Sequence, residues 1–177
     1  AEKLRKSGMY ALADGKYDEA LSCQLEFLGR LKAAEDAQVA AVLLAKADNA
    51  RVQCALERSR KLYLQSYAVW LRADGGGEES EGCLKSLQGM AELLLLRGQA
   101  EHASTLFQRV FSSRKRAYAV SPDMVARGAK ESMSYRDAPP LAQSLHAMAR
   151  VALFNADLDT AESYAKSAME MMERMER

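Results

Sequence analysis

The sequence has little of what metal-binding, disulfide-bonded or catalytic proteins depend on. Its 177 residues include 3 cysteines, 3 prolines and 2 histidines. The cysteines, Cys23, Cys54 and Cys83, are odd in number, widely spaced and without a histidine beside them, which argues against a zinc site or a disulfide framework. We predict that they are small buried residues of an intracellular protein in a reducing compartment, either the cytoplasm or an organelle interior.

Neither sign of charge predominates in the chain. Lys and Arg together number 25 against 24 for Asp and Glu, so the formal net charge is +1. Such a balance gives no overall field that attracts nucleic acid or an acidic membrane. No hydrophobic run approaches the roughly 18 residues that a membrane span requires. We therefore expect no nucleic-acid partner and no membrane-spanning segment.

Catalytic signatures are scarce as well. The two histidines, His102 and His146, are 44 residues apart, and no HExxH, GxSxG, P-loop or dinucleotide fingerprint occurs. His102 is expected to be solvated in the first turn of a helix. An enzyme built on Tyr135, Arg136 and Asp137 is a third functional class, but these side chains alone do not define a reaction. The sequence predicts no enzymatic activity, no catalytic residue, no cofactor and no metal.

The composition favours helices over strands. Hydrophobic residues make up 49% and aromatic residues 7%, alanine and leucine are prominent, and the period-two alternation of strands is rare. Eight helices are predicted, over residues 2–13, 17–33, 38–57, 60–73, 81–96, 100–119, 140–154 and 158–177.

A pattern of glycine, alanine and aromatic residues recurs along these helices. A turn residue is followed five residues later by alanine at three places, which are Gly15 with Ala20, Gly98 with Ala103, and Ala156 with Ala161. A small residue stands twelve positions before each of these alanines: Gly8, Ala91 and Ala149. The first two copies are separated by about two periods of 42 residues, and a weaker copy near Tyr63 fills the gap. Small residues at both places allow the two helices of a hairpin to approach closely.

This pattern resembles the tetratricopeptide repeat (TPR) family, in its long-repeat, kinesin-light-chain-like variety. The resemblance implies an all-α, right-handed superhelix, an α-solenoid of about four TPR-like hairpins in one domain over residues 1–177. The units are expected at about 1–35, 38–73, 81–119 and 140–177. The second unit departs from the pattern. If Tyr63 takes the alanine position, Arg51 falls where a small residue belongs, and a shift by one residue puts Ala50 there instead. A generic helical bundle is the alternative fold, although a bundle needs no such recurring spacing.

Two segments interrupt the predicted array. The segment 74–80, which contains the run Gly75, Gly76 and Gly77, is predicted to be an exposed turn between the second and third units. An insertion is expected at about 114–140, because the spacing of the last two units exceeds the period. It begins with Arg114, Lys115 and Arg116, which indicate either cations favoured at a helix C-terminus or a basic patch for RNA or nuclear import.

The resemblance also implies a peptide-binding groove lined by the first helix of each hairpin. The family's groove positions correspond here to Arg5, Lys6, Met9, Asn49, Lys85, Glu92, His146 and Arg150. Cations and amides on such a surface suit an extended peptide with acidic groups. A chaperone-type carboxylate clamp fits less well, because Met9 and Gly89 stand where the clamp has asparagine and arginine.

The predicted function is therefore a non-catalytic protein–protein interaction scaffold, an adaptor or a subunit of a large multi-subunit complex. It is expected to bind a partner protein or an extended peptide through the groove. An RNA-binding helical repeat protein is the alternative. The last helix carries Met169, Met171, Met172 and Met175, which favour either a capping helix or a docking surface.

Overall fold

The computed structural model describes residues 1–33, 35–73, 77–119 and 138–176. The elements found within these ranges are helices: α1 (Glu2–Lys6), α2 (Tyr10–Ala33), α3 (Ala37–Val52), α4 (Leu56–Arg72), α5 (Glu81–Leu96), α6 (Ala100–Ala117), α7 (Pro139–Phe154) and α8 (Leu158–Glu176). The chain divides into two compact units, Ala1–Leu93 and Leu94–Arg177. None of the helices in the described ranges is long and apolar enough to cross a bilayer.

The same turn joins the two members of each helix pair. Its central residue has a left-handed backbone, with φ of 80° at Gly8, 58° at Cys54, 73° at Gly98 and 59° at Ala156. The N–H of this turn residue donates to the carbonyl three residues back, and the next N–H donates to the carbonyl five residues before it. These two bonds define the Schellman motif, which satisfies the last carbonyls of the first helix.

The first of these turns lies at Gly8 and not at Gly15. Helix α1 ends at Lys6, and α2 continues through Gly15 to a break at Gly29, where φ is 71° and ψ is 157°. The predicted helices 2–13 and 17–33 are therefore wrong. Gly15 is an exposed helical residue with nothing within 4 Å of a built Cβ. A glycine inside a helix costs only about 1 kcal/mol relative to alanine, so its presence alone does not mark a turn.

The turn residues give the repeat its register. Small residues stand seven positions before and five positions after the turn residue, and the pairs in the last three turns are Ala47 with Ser59, Ala91 with Ala103, and Ala149 with Ala161. All six are buried. The period between the first three turns is about 45 residues and not 42.

The second hairpin is regular in this register. Ser59, and not Tyr63, occupies the small position of α4, and its hydroxyl donates to the carbonyl of Ala47 at 2.8 Å. The predicted placement of Tyr63 was therefore wrong by four residues. The error also displaced the helix bounds, since α3 ends at Val52 and α4 begins at Leu56. The bounds of α5 agree with the prediction.

Each unit has its own hydrophobic core. In the first unit the core includes Leu43, Leu62, Tyr63 and Val69, with Leu21 and Trp70 packed against it. In the second unit it includes Leu141, Leu145, Ala168 and Met171, with Phe111 and Tyr164 meeting edge to face at 6.3 Å. Cys83 is buried as predicted, but Cys23 and Cys54 are exposed, so the prediction was wrong for both. Cys54 is exposed because it is the turn residue between α3 and α4.

The structure describes only the two ends of the predicted insertion at 114–140, and residues up to Ala117 belong to α6. Residues 120–137, and residues 74–76 of the predicted glycine turn, lie outside the described ranges. Pro139 and Pro140 occupy the first turn of α7, which begins within one residue of the predicted position 140. The fully buried guanidinium of Arg114 donates to the carbonyl of Pro140 at 3.0 Å and to the hydroxyl of Ser144 at 2.8 Å. Arg114 therefore fastens the start of α7 to the end of α6.

Candidate interaction surface

A carboxylate recurs at one position of the first three first helices. Glu2 on α1, Asp48 on α3 and Glu92 on α5 each stand six residues before the turn residue. On α1 and α3 an arginine follows three residues later, at Arg5 and Arg51. Residues three apart are neighbours on a helix, so each arginine lies beside the carboxylate of its own helix.

In the first two hairpins a tyrosine from the second helix reaches the carboxylate of the first. The Tyr17 hydroxyl donates to Glu2 Oε2 at 2.7 Å, and the Tyr63 hydroxyl donates to Asp48 Oδ1 at 2.5 Å. Both rings are buried, with 5% and 0% of Tyr17 and Tyr63 exposed. The rings therefore contribute to the core, while the hydroxyls hold the carboxylates at the edge of the helix pair.

An arginine, Arg51, connects the second hairpin to the third. Arg5 pairs with Glu2 at 2.6 Å, and Arg51 donates to the Tyr63 hydroxyl at 3.2 Å and pairs with Glu92 at 2.9 Å. Arg51 thereby joins α3, α4 and α5. The alternating set formed by Glu2, Arg5, Asp48, Arg51 and Glu92 is called the charge row below. It lies within the first compact unit.

The protonation states of the charge row follow from these contacts. Burial, together with the charge of Asp48 and the hydrogen bond to it, raises the pKa of Tyr63 well above its ordinary value. Burial and the hydrogen bond to Glu2 raise the pKa of Tyr17 to about 12. The hydrogen bond from Arg5, and then that from Tyr17, lowers the pKa of Glu2. At neutral pH the tyrosines are therefore protonated donors and Glu2 is ionised.

The charge row does not continue in the same form after Glu92. In the turn at Gly98, the positions of the arginine and the tyrosine are occupied by Leu95 and Phe107, which are both buried. In the turn at Ala156, the carboxylate position is occupied by Arg150. The paired acid, arginine and tyrosine are therefore a property of the first two hairpins.

The residues predicted to line the groove fall into three groups. Arg5 and Glu92 belong to the charge row, and Lys6, Met9 and Lys85 are exposed residues near it in sequence. Asn49 is fully buried, and its amide donates to the Tyr10 carbonyl at 3.1 Å and to Asp14 Oδ1 at 2.9 Å. The structure places exposed His146 and partly exposed Arg150 on α7, in the second unit.

Sequence reasoning missed the two tyrosines of this surface. The signal that identifies them is a separation of 15 residues between acid and tyrosine, which is the same for Glu2 with Tyr17 and for Asp48 with Tyr63. It becomes legible only when the repeats are aligned on their true turn residues. With Gly15 taken as a turn, Tyr17 was assigned to the start of a helix and its partner could not be recognised.

Two glycines allow α5 to approach α4 behind the charge row. A Cβ on Gly89 would lie 2.2 Å from Cε1 of Tyr63, and one on Gly82 would lie 2.1 Å from Cδ2 of Trp70. These distances are far below carbon–carbon contact distance. No larger side chain fits at position 89 while Tyr63 holds its place. A chaperone-type clamp, which needs arginine at this position, is therefore disfavoured on steric grounds.

The other chemical candidates are dispersed. His102 is exposed on α6, as predicted. Within the part of the chain that the structure describes, no three His, Cys, Asp or Glu side chains are grouped so as to hold a metal ion. The basic cluster at the end of α6 does not form an exposed trio, because Arg114 is buried, so it does not favour RNA binding.

The comparisons with known proteins identify the fold. No protein-family model matches the sequence, and no curated protein matches it. Among solved structures, BtubC (BKLC) from P. vanneervenii matches with a TM-score of 0.68 and 18% identity, over 98% of this chain and 60% of that chain. A putative kinesin light chain from Podosopora anserina with nearly identical TPR-like repeats matches with a TM-score of 0.59 and 16% identity, over 98% of this chain and 72% of that chain.

A variant of the Podosopora protein matches with a TM-score of 0.58 and 16% identity, over 99% of this chain and 92% of that chain. At such identities the likeness concerns the fold alone. The chain thus has the fold of a TPR-like helical repeat, of the type found in kinesin-light-chain-like structures, which confirms the predicted fold class and resemblance. It spans 60% of the BtubC chain.

Proposed function

We propose that this chain is a non-catalytic protein-interaction scaffold that binds an extended segment of a partner protein across α1, α3 and α5. The charge row is the observation that carries the proposal. It places ionised groups on successive first helices at one repeat position, and in TPR-like repeats the first helices line the concave surface.

The side chains of the charge row can form contacts with a partner because they are only partly buried. The exposed fraction of the side chain is 51% for Glu2, 26% for Arg5, 25% for Arg51 and 17% for Glu92. The Arg5–Glu2 pair, which includes the most exposed of these side chains, is worth about 1 kcal/mol or less. A partner segment can therefore replace that pair with its own charged and backbone groups at small cost.

The surroundings of the charge row favour an acidic segment. Lys6 lies four residues after Glu2 and Lys85 lies seven residues before Glu92, so each shares a helix face with a member of the row. Both lysines are exposed. These lysines can therefore pair with acidic side chains of the partner segment.

Exposed apolar residues provide contacts of a second kind. Val52, which is 41% exposed, lies four residues after Asp48 on the same face of α3, and Met9 is 45% exposed in the turn after α1. Such residues can cover apolar side chains of an extended peptide, while the charged groups fix its direction.

The distribution of lysines allows a direct test by crosslinking mass spectrometry of the native protein with its co-purified partner. Lys6 and Lys85 lie on first helices, whereas Lys16, Lys61 and Lys115 are exposed on second helices. We expect crosslinks to the partner at Lys6 and Lys85. Partner crosslinks confined to the second-helix lysines would refute binding across the first helices.

Charge-reversal variants test the same surface independently. Lys6→Glu combined with Lys85→Glu should weaken co-purification of the partner, because the charges of both lysines are reversed. Lys16→Glu combined with Lys61→Glu is the matched control, with the same change of net charge on second helices. Equal loss of the partner in both double variants would indicate a non-specific charge effect and contradict the proposal.

A further inference from the structure

The last helix, α8, divides its methionines between the core and the solvent. Met171 is fully buried, and Met175 packs against the core of the second unit. Met169 and Met172, in contrast, are 63% and 44% exposed, and Leu158 at the start of the same helix is 67% exposed. Core packing therefore accounts for only two of the four methionines.

The exposed apolar residues form a second stripe along α8. At about 100° per residue, the exposed Leu158, Met169 and Met172 fall within an arc of about 60°, with half-buried Ala165 between them. The centre of this arc lies about 90° around the helix from the buried stripe that contains Ala161, Ala168 and Met171. A helix laid along the exposed stripe would contact α8 over about four turns.

The far side of the exposed stripe is acidic. Among the described residues of α8, the next positions around the helix, away from the buried stripe, carry Asp159, Glu162, Glu170 and Glu173, with Lys166 as the one cation. All five side chains belong to exposed residues. This edge has a formal charge of −3, whereas the whole chain has +1. The local field therefore differs in sign from the net charge of the protein.

We propose that the exposed stripe of α8 binds an amphipathic helix of a partner protein, apolar on one side and rich in Lys or Arg along one edge. The apolar side would cover Leu158, Met169 and Met172, and methionine adapts well to partners of irregular shape. The basic edge would face the acidic edge of α8. This site lies on a different helix from those of the charge row and does not depend on the proposed function.

The test uses two labelled synthetic peptides of about 18 residues, which is about five helical turns. Both carry leucine along one face, and the remaining positions carry lysine in one peptide and glutamate in the other. Binding to the full chain is measured by fluorescence anisotropy. The lysine peptide should bind, and the glutamate peptide should bind at least about tenfold more weakly, since its charge repels the acidic edge.

Two double variants separate the apolar and charged contributions. Met169→Ser with Met172→Ser should weaken binding of the lysine peptide by about tenfold or more, because two apolar side chains are lost from the interface. Glu170→Lys with Glu173→Lys should weaken it and should improve binding of the glutamate peptide. Both variants change exposed residues, and circular dichroism checks that they fold.

The matched control is Leu64→Ser with Leu71→Ser on α4, where the two leucines are 44% and 40% exposed. It should bind the lysine peptide like the wild type. The proposal is overturned if the methionine variant retains wild-type affinity, if the glutamate peptide binds as tightly, or if the lysine peptide does not bind. Sedimentation velocity adds one outcome: a dimer abolished by Met169→Ser with Met172→Ser would assign the stripe to a second copy of the chain instead.

Discussion

Replacing Gly89 by alanine should destabilise the first unit, although alanine is the better helix former. The added Cβ would lie 2.2 Å from Cε1 and 2.3 Å from Cζ of Tyr63. Carbon atoms in contact are about 3.5 Å or more apart, so the ring and α5 must separate by about 1.3 Å. Tyr63 cannot move freely, because it is fully buried and its hydroxyl is held by Asp48 and Arg51.

The expected magnitude combines three contributions. Overpacking a core costs about 1–3 kcal/mol. Displacing the Tyr63 hydroxyl from its charged partners adds about 1.5–3 kcal/mol. The higher helix propensity of alanine returns about 1 kcal/mol. The free energy of unfolding should therefore fall by about 1.5–5 kcal/mol, which lowers the urea midpoint by about 1–2.5 M for a denaturant dependence of about 2 kcal/mol per M.

Gly15→Ala is the matched control. Gly15 also lies inside a helix of the first unit, but nothing lies within 4 Å of its built Cβ. The same substitution should therefore raise the free energy of unfolding by roughly 0.5–1 kcal/mol. Urea denaturation followed by circular dichroism measures both variants. Equal stability of the Gly89→Ala and Gly15→Ala variants would show that Tyr63 does not oppose a Cβ at position 89.

A double-mutant cycle identifies Tyr63 as the obstacle. In a Tyr63→Leu background the ring is absent, so Gly89→Ala should cost much less than it does in the wild type. An unchanged cost in that background would show that some other group opposes the alanine, and the explanation based on Tyr63 would be rejected.

Three further measurements test single contacts. Asp36→Ala should lower the free energy of unfolding by about 1 kcal/mol, because the Asp36 carboxylate caps α3 by accepting from two backbone N–H groups. Urea denaturation measures this change, and an unchanged free energy of unfolding would show that the cap does not stabilise α3. Because the pKa of Tyr17 is raised to about 12, its stabilisation is complete below pH 10 and is lost as the pH rises from 10 to 12. Tyr17→Phe should therefore make the alkaline loss of stability shallower, and an equally steep loss would contradict this. Arg114→Ala should lower the free energy of unfolding by about 3 kcal/mol, since it removes a buried guanidinium that donates to Pro140 and Ser144. It should also increase amide hydrogen exchange at the start of α7, and unchanged exchange there would show that Arg114 does not hold this helix.

The predictable parts of the fold are those set by residues that are close together in the sequence. Helix α5 agrees with its predicted bounds, and the prolines at the start of α7 agree with the expected helix beginning. The turns at Gly98 and Ala156 were also recognised as breaks between helices. Helix propensity, proline at a first turn and small residues at a turn act over a few residues, so they are legible in one sequence.

The register of the first two hairpins was not predictable in this way. Gly8 and Gly15 are both glycines flanked by helix-forming residues, and nothing local shows that the first is the turn and the second a helical position. Packing decides, because the true register buries Ala13 and Tyr17 on α2. In the second hairpin the turn residue is Cys54, which has a left-handed backbone without being glycine. The repeated Schellman bonds become evident only in the structure.

The candidate surface was likewise predictable only in part. Aligned with the TPR pattern, the sequence by itself placed Arg5, Lys85 and Glu92 on first helices, because helical periodicity fixes which residues share a face. Only the tertiary structure decided that Tyr17 and Tyr63 hold the carboxylates of the charge row and that Asn49 is buried. Those contacts join different helices, so their distances depend on how closely the helices pack in the folded chain.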